Sequence, residues 1–145
     1  MPAEKVVESL FQLSNELSQT EAFGEVPREQ LVKINENVAH LHHQSLDEAR
    51  KKFKPISHAV ITLVTEIRGQ NADLSFHHFF CPMVKQGEGD WLQAEDQLSN
   101  PYYGAQMLRC GELVRTIFPT PVAEESSTVK PHDHGSDDSQ PKGER

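Results

Sequence analysis

The chain of 145 residues is long enough for one small domain, and it is acidic, with a formal net charge of -8 at pH 7 and 36% hydrophobic residues. This composition supports a modest core, and the negative charge disfavours binding to nucleic acid or to an anionic membrane. No apolar run approaches the length of a bilayer span, so we expect no transmembrane segment, and the N-terminus has no apolar core of a signal peptide.

Three segments in the first half of the chain show helical periodicity, and they predict helices over residues 4–19, 27–43 and 46–68. The apolar stripes of these helices are, in chain order, Val6, Leu10, Leu13 and Leu17; Leu31, Ile34, Val38 and Leu41; and Leu46, Ala49, Phe53, Ile56, Val60, Leu63 and Ile67. Ser45 and Glu48 form a capping-box pattern at the start of the third helix. Each stripe needs a neighbour and the connections are short, so the predicted fold class is mainly α, an antiparallel three-helix bundle.

The periodicity changes in residues 73–118, which we expect to form a small C-terminal β-hairpin and loop module. A strand is predicted over residues 74–80, a short helical piece over 91–99, and a second strand, paired with the first, over 110–118. Residues 119–145 offer almost nothing apolar to bury, so they are predicted to form a disordered tail.

Sulfur-bearing side chains are concentrated in two stretches of this module. FHHFFCPMVKQGEGDWL (76–92) contains Cys81 and Met83, and NPYYGAQMLRCGEL (100–113) contains Met107 and Cys110. Thiolates and thioethers are the ligands that Cu(I) and related soft ions prefer. Side chains two apart in a strand share a face, and side chains three apart on a helical turn share a side. If the two strands pair, the four sulfurs can converge on one metal ion.

Other interpretations of these residues stay open. Two cysteines provide one disulfide bridge, two metal ligands or two buried thiols, and methionines also serve as core filler. His77 and His78 are candidate accessory ligands, although four residues of strand place His77 roughly 13 Å from Cys81 and His78 faces the other way. His132 and His134 are weaker accessory candidates. No catalytic constellation is visible, so we do not expect an enzyme.

The residues around the sulfurs resemble a bacterial domain family, long described as of unknown function, that accompanies copper, silver and heavy-metal efflux. Its pattern is a Cys-Pro-Met, a glycine turn ending in Trp-Leu, an Asn-Pro-Tyr-aromatic-Gly segment and a Met-Leu-x-Cys-Gly close. The matching residues are Cys81, Pro82, Met83, Trp91, Leu92, Asn100, Pro101, Tyr102, Tyr103, Gly104, Met107, Leu108, Cys110 and Gly111. The resemblance covers roughly residues 5–118 and includes the predicted third helix.

The resemblance implies a periplasmic location, as a piece of a longer exported protein, because members are periplasmic or extend adaptor subunits of tripartite metal-efflux pumps. Pump components or a periplasmic metallochaperone would then be partners. The expected function is binding and transfer of a soft ion, Cu(I) or Ag(I) first and Zn(II) second. Cys81 and Cys110 would be the primary ligands, and Met83 and Met107 weaker ones. The alternative is a structural or protein-interaction domain that binds no metal and has a Cys81–Cys110 disulfide.

Overall fold

The computed structural model describes residues 4–67, 73–85 and 89–119, and these contain three α-helices and one three-stranded antiparallel sheet. The helices are α1 (Glu4–Ser18), α2 (Glu25–Val38) and α3 (Leu46–Glu66). The strands are β1 (Phe76–Phe80), β2 (Asp90–Gln93) and β3 (Glu112–Ile117). Two short 3-10 turns lie at Leu41–His43 and Gly104–Gln106. The fold is therefore mixed α/β, which corrects the expectation of a mainly α bundle with a two-stranded hairpin.

Helix α2 packs against both α1 and α3, and it buries its predicted stripe through Leu31, Ile34 and Val38. The helix ends at Val38 and not at residue 43, because His40 has a left-handed backbone (φ 59°, ψ 18°) through which an α-helix does not continue. Leu41 completes the stripe from the 3-10 turn that follows, and its side chain is buried.

Helix α1 buries a different face from the predicted one. Val7 and Ser14 are buried, whereas Val6 is 65% exposed. The Nδ2 group of Asn35 on α2 donates to the Phe11 carbonyl at 3.1 Å and to the Ser14 hydroxyl at 3.3 Å. This polar contact places the small Ser14 side chain at the α1–α2 interface, so the leucine stripe is only partly covered.

Helix α3 begins where the capping pattern predicts, because the Ser45 hydroxyl accepts the backbone N–H of Glu48 at 3.3 Å. Ile56 is buried in the core that α1 and α2 share with α3, and Val60 is half-buried against it. The Ser57 hydroxyl donates to the Asp90 carbonyl at 2.6 Å, which joins α3 to strand β2.

The strand order in the sheet is β2-β1-β3, so β1 is the central strand. Both predicted strands are present and pair, with Phe80 opposite Glu112. The predicted helical piece at 91–99 is wrong, because Trp91 lies in β2 and pairs with Phe79 of β1. An irregularity between His78 and Phe79 shifts the β1–β3 register by one residue.

Most of the predicted disordered tail, from residue 120 onward, lies outside the described residues, and so do His132 and His134. Among the residues that are described, no helix is long and apolar enough to cross a membrane.

Candidate metal centre at the paired cysteines

The two cysteines lie at the same end of the sheet. Cys81 directly follows β1, and Cys110 lies two residues before β3. Because β1 and β3 are antiparallel, the end of one strand adjoins the start of the other, and the two Sγ atoms are 3.4 Å apart. Both are free thiols. Cys81 is 0% exposed, so its thiol has no contact with water, whereas Cys110 is half-buried and is partly accessible to solvent.

Aromatic side chains enclose this thiol pair. Phe79, Trp91 and Tyr102 form a buried cluster with Cys81, and Cys110 packs against it. The Phe79 and Trp91 rings stack with centroids 5.5 Å apart, and Tyr102 meets Trp91 edge-on at 6.2 Å. Surroundings of this kind disfavour a bare thiolate, and they favour either a neutral thiol or a thiolate whose charge a bound cation offsets.

Two glycines, Gly89 and Gly111, allow other segments of the backbone and side chains to approach the cysteines closely. The Cys81 N–H donates to the Gly89 carbonyl at 2.9 Å, and a Cβ on Gly89 would overlap the Cys81 carbonyl oxygen. Gly111 has a φ of +146°, and a Cβ there would lie 2.9 Å from the Trp91 ring. A larger residue at position 89 would displace the backbone of Cys81, and one at position 111 would displace Trp91 or the end of β1.

Buried Asn100 organises the loop that carries Cys110. Its Nδ2 group donates to the Cys110 carbonyl at 2.7 Å, and its Oδ1 accepts the N–H groups of Tyr102 at 2.8 Å and Tyr103 at 3.3 Å. The Tyr103 hydroxyl then donates to the Met83 carbonyl at 2.5 Å. The Tyr103–Met83 hydrogen bond therefore joins the two cysteine-bearing loops, so their contact does not depend on the thiols alone.

The two methionines stay outside the buried cluster. Met83 is 56% exposed, in the turn that begins at Cys81, and Met107 is half-buried. The Cys110 N–H donates to the Met107 carbonyl at 3.0 Å, so these two residues share a turn, as the spacing predicts. The structure thus brings the cysteines together and leaves Met83 accessible from solvent.

The predicted accessory histidines in the sheet have hydrogen-bond partners other than the cysteines. His77 Nδ1 lies 3.1 Å from Thr116 Oγ1, and His78 Nε2 lies 2.6 Å from Asp90 Oδ1. His58 of α3 approaches the second oxygen of Asp90 at 3.6 Å. Within residues 4–67, 73–85 and 89–119, no group of three or more His, Cys, Asp or Glu side chains is arranged to hold a metal ion.

The pKa of the Cys110 thiol is raised above its ordinary value, first by the hydrogen bond with Cys81, then by burial, and then by the charge of a Cys81 thiolate. Cys110 is therefore a neutral thiol near pH 7. Reactive cysteines need the opposite shift, towards a stable thiolate. Soft-metal binding does not, because the incoming ion displaces the proton.

Sequence reasoning missed two features of this region. The first is the role of Asn100 in holding the Cys110 loop. The Asn-Pro pair indicates a turn, and an Asn side chain in a turn often bonds the backbone two residues on, so this signal was present in the sequence. The second is Asp90, whose carboxylate adjoins two imidazoles and whose carbonyl accepts the hydroxyls of Ser57 and Tyr102. Nothing in the residue spacing indicates these contacts, because the partners are 12 to 33 positions away from Asp90.

Comparisons with protein-family models, with curated proteins and with solved structures found no match for this chain. Several residues of the sequence motif surround the thiol pair or bond to its loops: Trp91, Asn100, Tyr102, Tyr103 and Gly111.

Proposed function

We propose that this chain binds one soft metal ion through Cys81 and Cys110, with Cu(I) or Ag(I) preferred over Zn(II), and passes it on in metal efflux or resistance. The observation that supports this most is the 3.4 Å separation of two free thiol sulfurs in an aromatic enclosure. The two thiolates and the ion would carry less net charge than the dithiolate alone, which suits a site with little water.

The two sulfurs must move apart to hold an ion between them. With metal–sulfur bonds of about 2.3 Å, two thiolates on one ion lie about 3.8 Å apart in a tetrahedral site and about 4.6 Å apart in a linear one. The observed 3.4 Å is shorter than the tetrahedral value by about 0.4 Å and shorter than the linear value by about 1.2 Å. Cys110 is half-buried, so its side chain has room to move outward as the ion enters.

The ligand set favours soft monovalent ions over zinc. Structural zinc is held by four ligands, mostly Cys and His. Here the thiols supply two, and the histidines of the sheet bond to Thr116 and Asp90. Cu(I) and Ag(I) accept thiolates together with thioethers, and Met83 and Met107 lie in the same two turns as the cysteines.

Exposed Met83 gives the site a route for hand-over. A thioether binds more weakly than a thiolate, so it is a fitting first or last contact for an ion that moves between proteins. The motif resemblance adds two parts to this proposal: the chain is periplasmic, and it passes the ion to a pump component or to a metallochaperone.

The alternative is a structural clasp without metal, and the same sulfur separation favours it too. A disulfide needs an S–S distance of about 2.0 Å, so the sulfurs would move together by roughly 1.4 Å. On the chain-entropy model, such a bridge closes a loop of about 30 residues and contributes on the order of 3–4 kcal/mol of stability.

Two measurements test the proposal. Thiol quantification on protein purified without reductant shows whether the bridge forms spontaneously. Titration of reduced protein with Cu(I) or Ag(I), followed by native mass spectrometry, should then show one ion bound per chain. A Cys81→Ser/Cys110→Ser double variant is the control, and equal uptake by this variant and the wild type would refute a thiolate site.

A further inference from the structure

The side chain of Cys81 has no exposed surface, so an ion can reach its thiol only after part of the surrounding structure has moved. The neighbours Phe79, Trp91 and Tyr102 are themselves buried and belong to the core. The turn of residues 82–85 differs from them, because three of its residues are exposed and the half-buried Val84 is the one that packs on the cluster. This turn can therefore move with little loss of buried surface.

Among the described residues, two side chains of other segments hold this turn through solvent-exposed hydrogen bonds. The Tyr103 hydroxyl donates to the Met83 carbonyl at 2.5 Å, and the Lys54 ammonium donates to the Lys85 carbonyl at 2.9 Å. Water can replace the partner in an exposed hydrogen bond, so breaking such a bond costs little free energy. Segments held in this way open locally while the rest of the fold stays intact.

The hydrogen bonds that position the two cysteines themselves are better protected. The Cys81 N–H donates to the carbonyl of buried Gly89 at 2.9 Å, and Asn100, which is 1% exposed, holds the Cys110 carbonyl at 2.7 Å. Breaking these bonds leaves polar groups without partners inside the fold, at a higher cost than in the exposed turn. The turn therefore opens more easily than either cysteine leaves its place at the end of the sheet.

The turn also has free space beside it. A groove of about 590 Å³ lies between the turn and α3, and Arg50, Val84, Lys85 and Tyr103 are among the residues that line it. Val84 and Tyr103 also pack against the cluster around Cys81, so each lies between the cluster and the groove. Both side chains can move into the groove without displacing the buried aromatic rings.

We propose that residues 82–85 form a lid over Cys81 and that the Tyr103 hydroxyl is the latch of this lid. When the latch opens, Cys81 becomes accessible beside Met83, which is 56% exposed even with the lid closed. A soft ion enters and leaves through this opening, with the thioether as its first and last contact. The passage of the ion depends on the proposed metal binding at Cys81 and Cys110, whereas the lid itself does not.

The first experiment needs no metal. It measures how fast 4,4′-dithiodipyridine, an uncharged thiol reagent, labels Cys81 in reduced protein that carries Cys110→Ser. Tyr103→Phe removes the latch hydroxyl and keeps the ring. Thr62→Val is the matched control, since the Thr62 hydroxyl also bonds a carbonyl in an exposed setting, that of His58 on its own helix at 3.0 Å.

We expect Tyr103→Phe to speed the labelling of Cys81 by about 3- to 10-fold, as the loss of one hydrogen bond shifts the opening equilibrium. Thr62→Val should change this rate by less than about 1.5-fold, because its hydroxyl lies away from the lid. Labelling of half-buried Cys110, measured with Cys81→Ser, should not change in Tyr103→Phe. No change for Cys81, or an equal rise for Cys110 or in Thr62→Val, would overturn the lid.

The second experiment uses Ag(I) as the probe, in the chain with both cysteines. Stopped flow with a competing chelator measures the rates of uptake and release. Tyr103→Phe should raise both rates by the same factor and leave the dissociation constant unchanged, because a lid that closes over the free and the loaded site changes only the rates of exchange. Unchanged rates would overturn the role of the lid in metal exchange. A wild type that takes up no Ag(I) would overturn the proposed function, whereas faster labelling of Cys81 would still establish the lid.

Discussion

The side-chain amide of Asn100 holds the backbone of Cys110 through a 2.7 Å hydrogen bond from Nδ2 to the Cys110 carbonyl. Asn100 is only 1% exposed, so water cannot replace this bond. The position of one thiol therefore depends on a buried amide ten residues earlier, and the site can be disturbed without touching a sulfur atom.

Asn100→Ala should lower the free energy of unfolding by about 3 kcal/mol or more, because it leaves the Cys110 carbonyl and two backbone N–H groups without partners, at roughly 1–3 kcal/mol for each buried group. Urea denaturation measures this loss. Asn37→Ala is the control, since the Asn37 amide bonds the Lys33 carbonyl of its own helix. Similar small losses in both variants would show that the Cys110 loop keeps its conformation without Asn100.

Ile56→Ala should lower the free energy of unfolding by about 2–5 kcal/mol, because it leaves a cavity in a closely packed core. Ile56 is 6% exposed and packs with residues of α1 and α2. Val6→Ala is the matched control on an exposed apolar residue of α1, and it should stay within about 0.5 kcal/mol of the wild type. Equal losses of stability in the Ile56→Ala and Val6→Ala variants would contradict the assignment of Ile56 to the core and Val6 to the surface.

The sequence predicted the helices and two of the strands because their signals are local. A stripe such as Leu31, Ile34 and Val38 follows from spacing alone, and so does the cap at Ser45. Strand β2 was missed because Asp90–Gln93 is too short for a clear alternation, and its pairing with β1 is a tertiary contact.

The proximity of the two cysteines was also predictable from the sequence. Sulfur content and strand pairing suffice to expect Cys81 near Cys110. The buried face of α1 was not predictable, because it depends on one amide of α2 that bonds Ser14. The groove that Arg50 and Lys85 line was equally hidden from sequence reasoning, since these residues are distant in sequence and meet only when the turn after Cys81 folds against α3.

Metal-free, reduced protein should lose stability as the pH rises into the alkaline range. The folded-state pKa of Cys110 is raised, first by its hydrogen bond with Cys81, so the folded chain holds this proton more tightly than the unfolded chain does. The resulting stabilisation is complete below the unfolded pKa and is lost as the pH passes through the folded value. Melting temperatures across this range measure it. Cys110→Ser should flatten the alkaline decline, and an equal decline in this variant would assign it to other groups.

Single substitutions in the sulfur cluster should separate the metal site from the structural clasp by their rank order. Cys81→Ser or Cys110→Ser removes a thiolate ligand, so Cu(I) affinity should fall most, by more than the roughly 10- to 100-fold that loss of an outer-shell partner of a ligand costs. Met83→Leu and Met107→Leu keep most of the volume and remove only a thioether, so the loss should be smaller and the fold intact. His77→Ala should matter least, because His77 bonds Thr116 on β3.

Affinity should also fall as the pH drops, since protons compete with the ion for the thiolates. Competition titrations with a chromogenic Cu(I) chelator at two pH values measure both the rank order and this dependence. A disulfide clasp gives a different pattern, in which either cysteine substitution lowers the melting temperature of oxidised protein and the methionine substitutions change nothing. Reduced wild-type protein that competes no better than the double-cysteine variant would leave the paired sulfurs with a structural role alone.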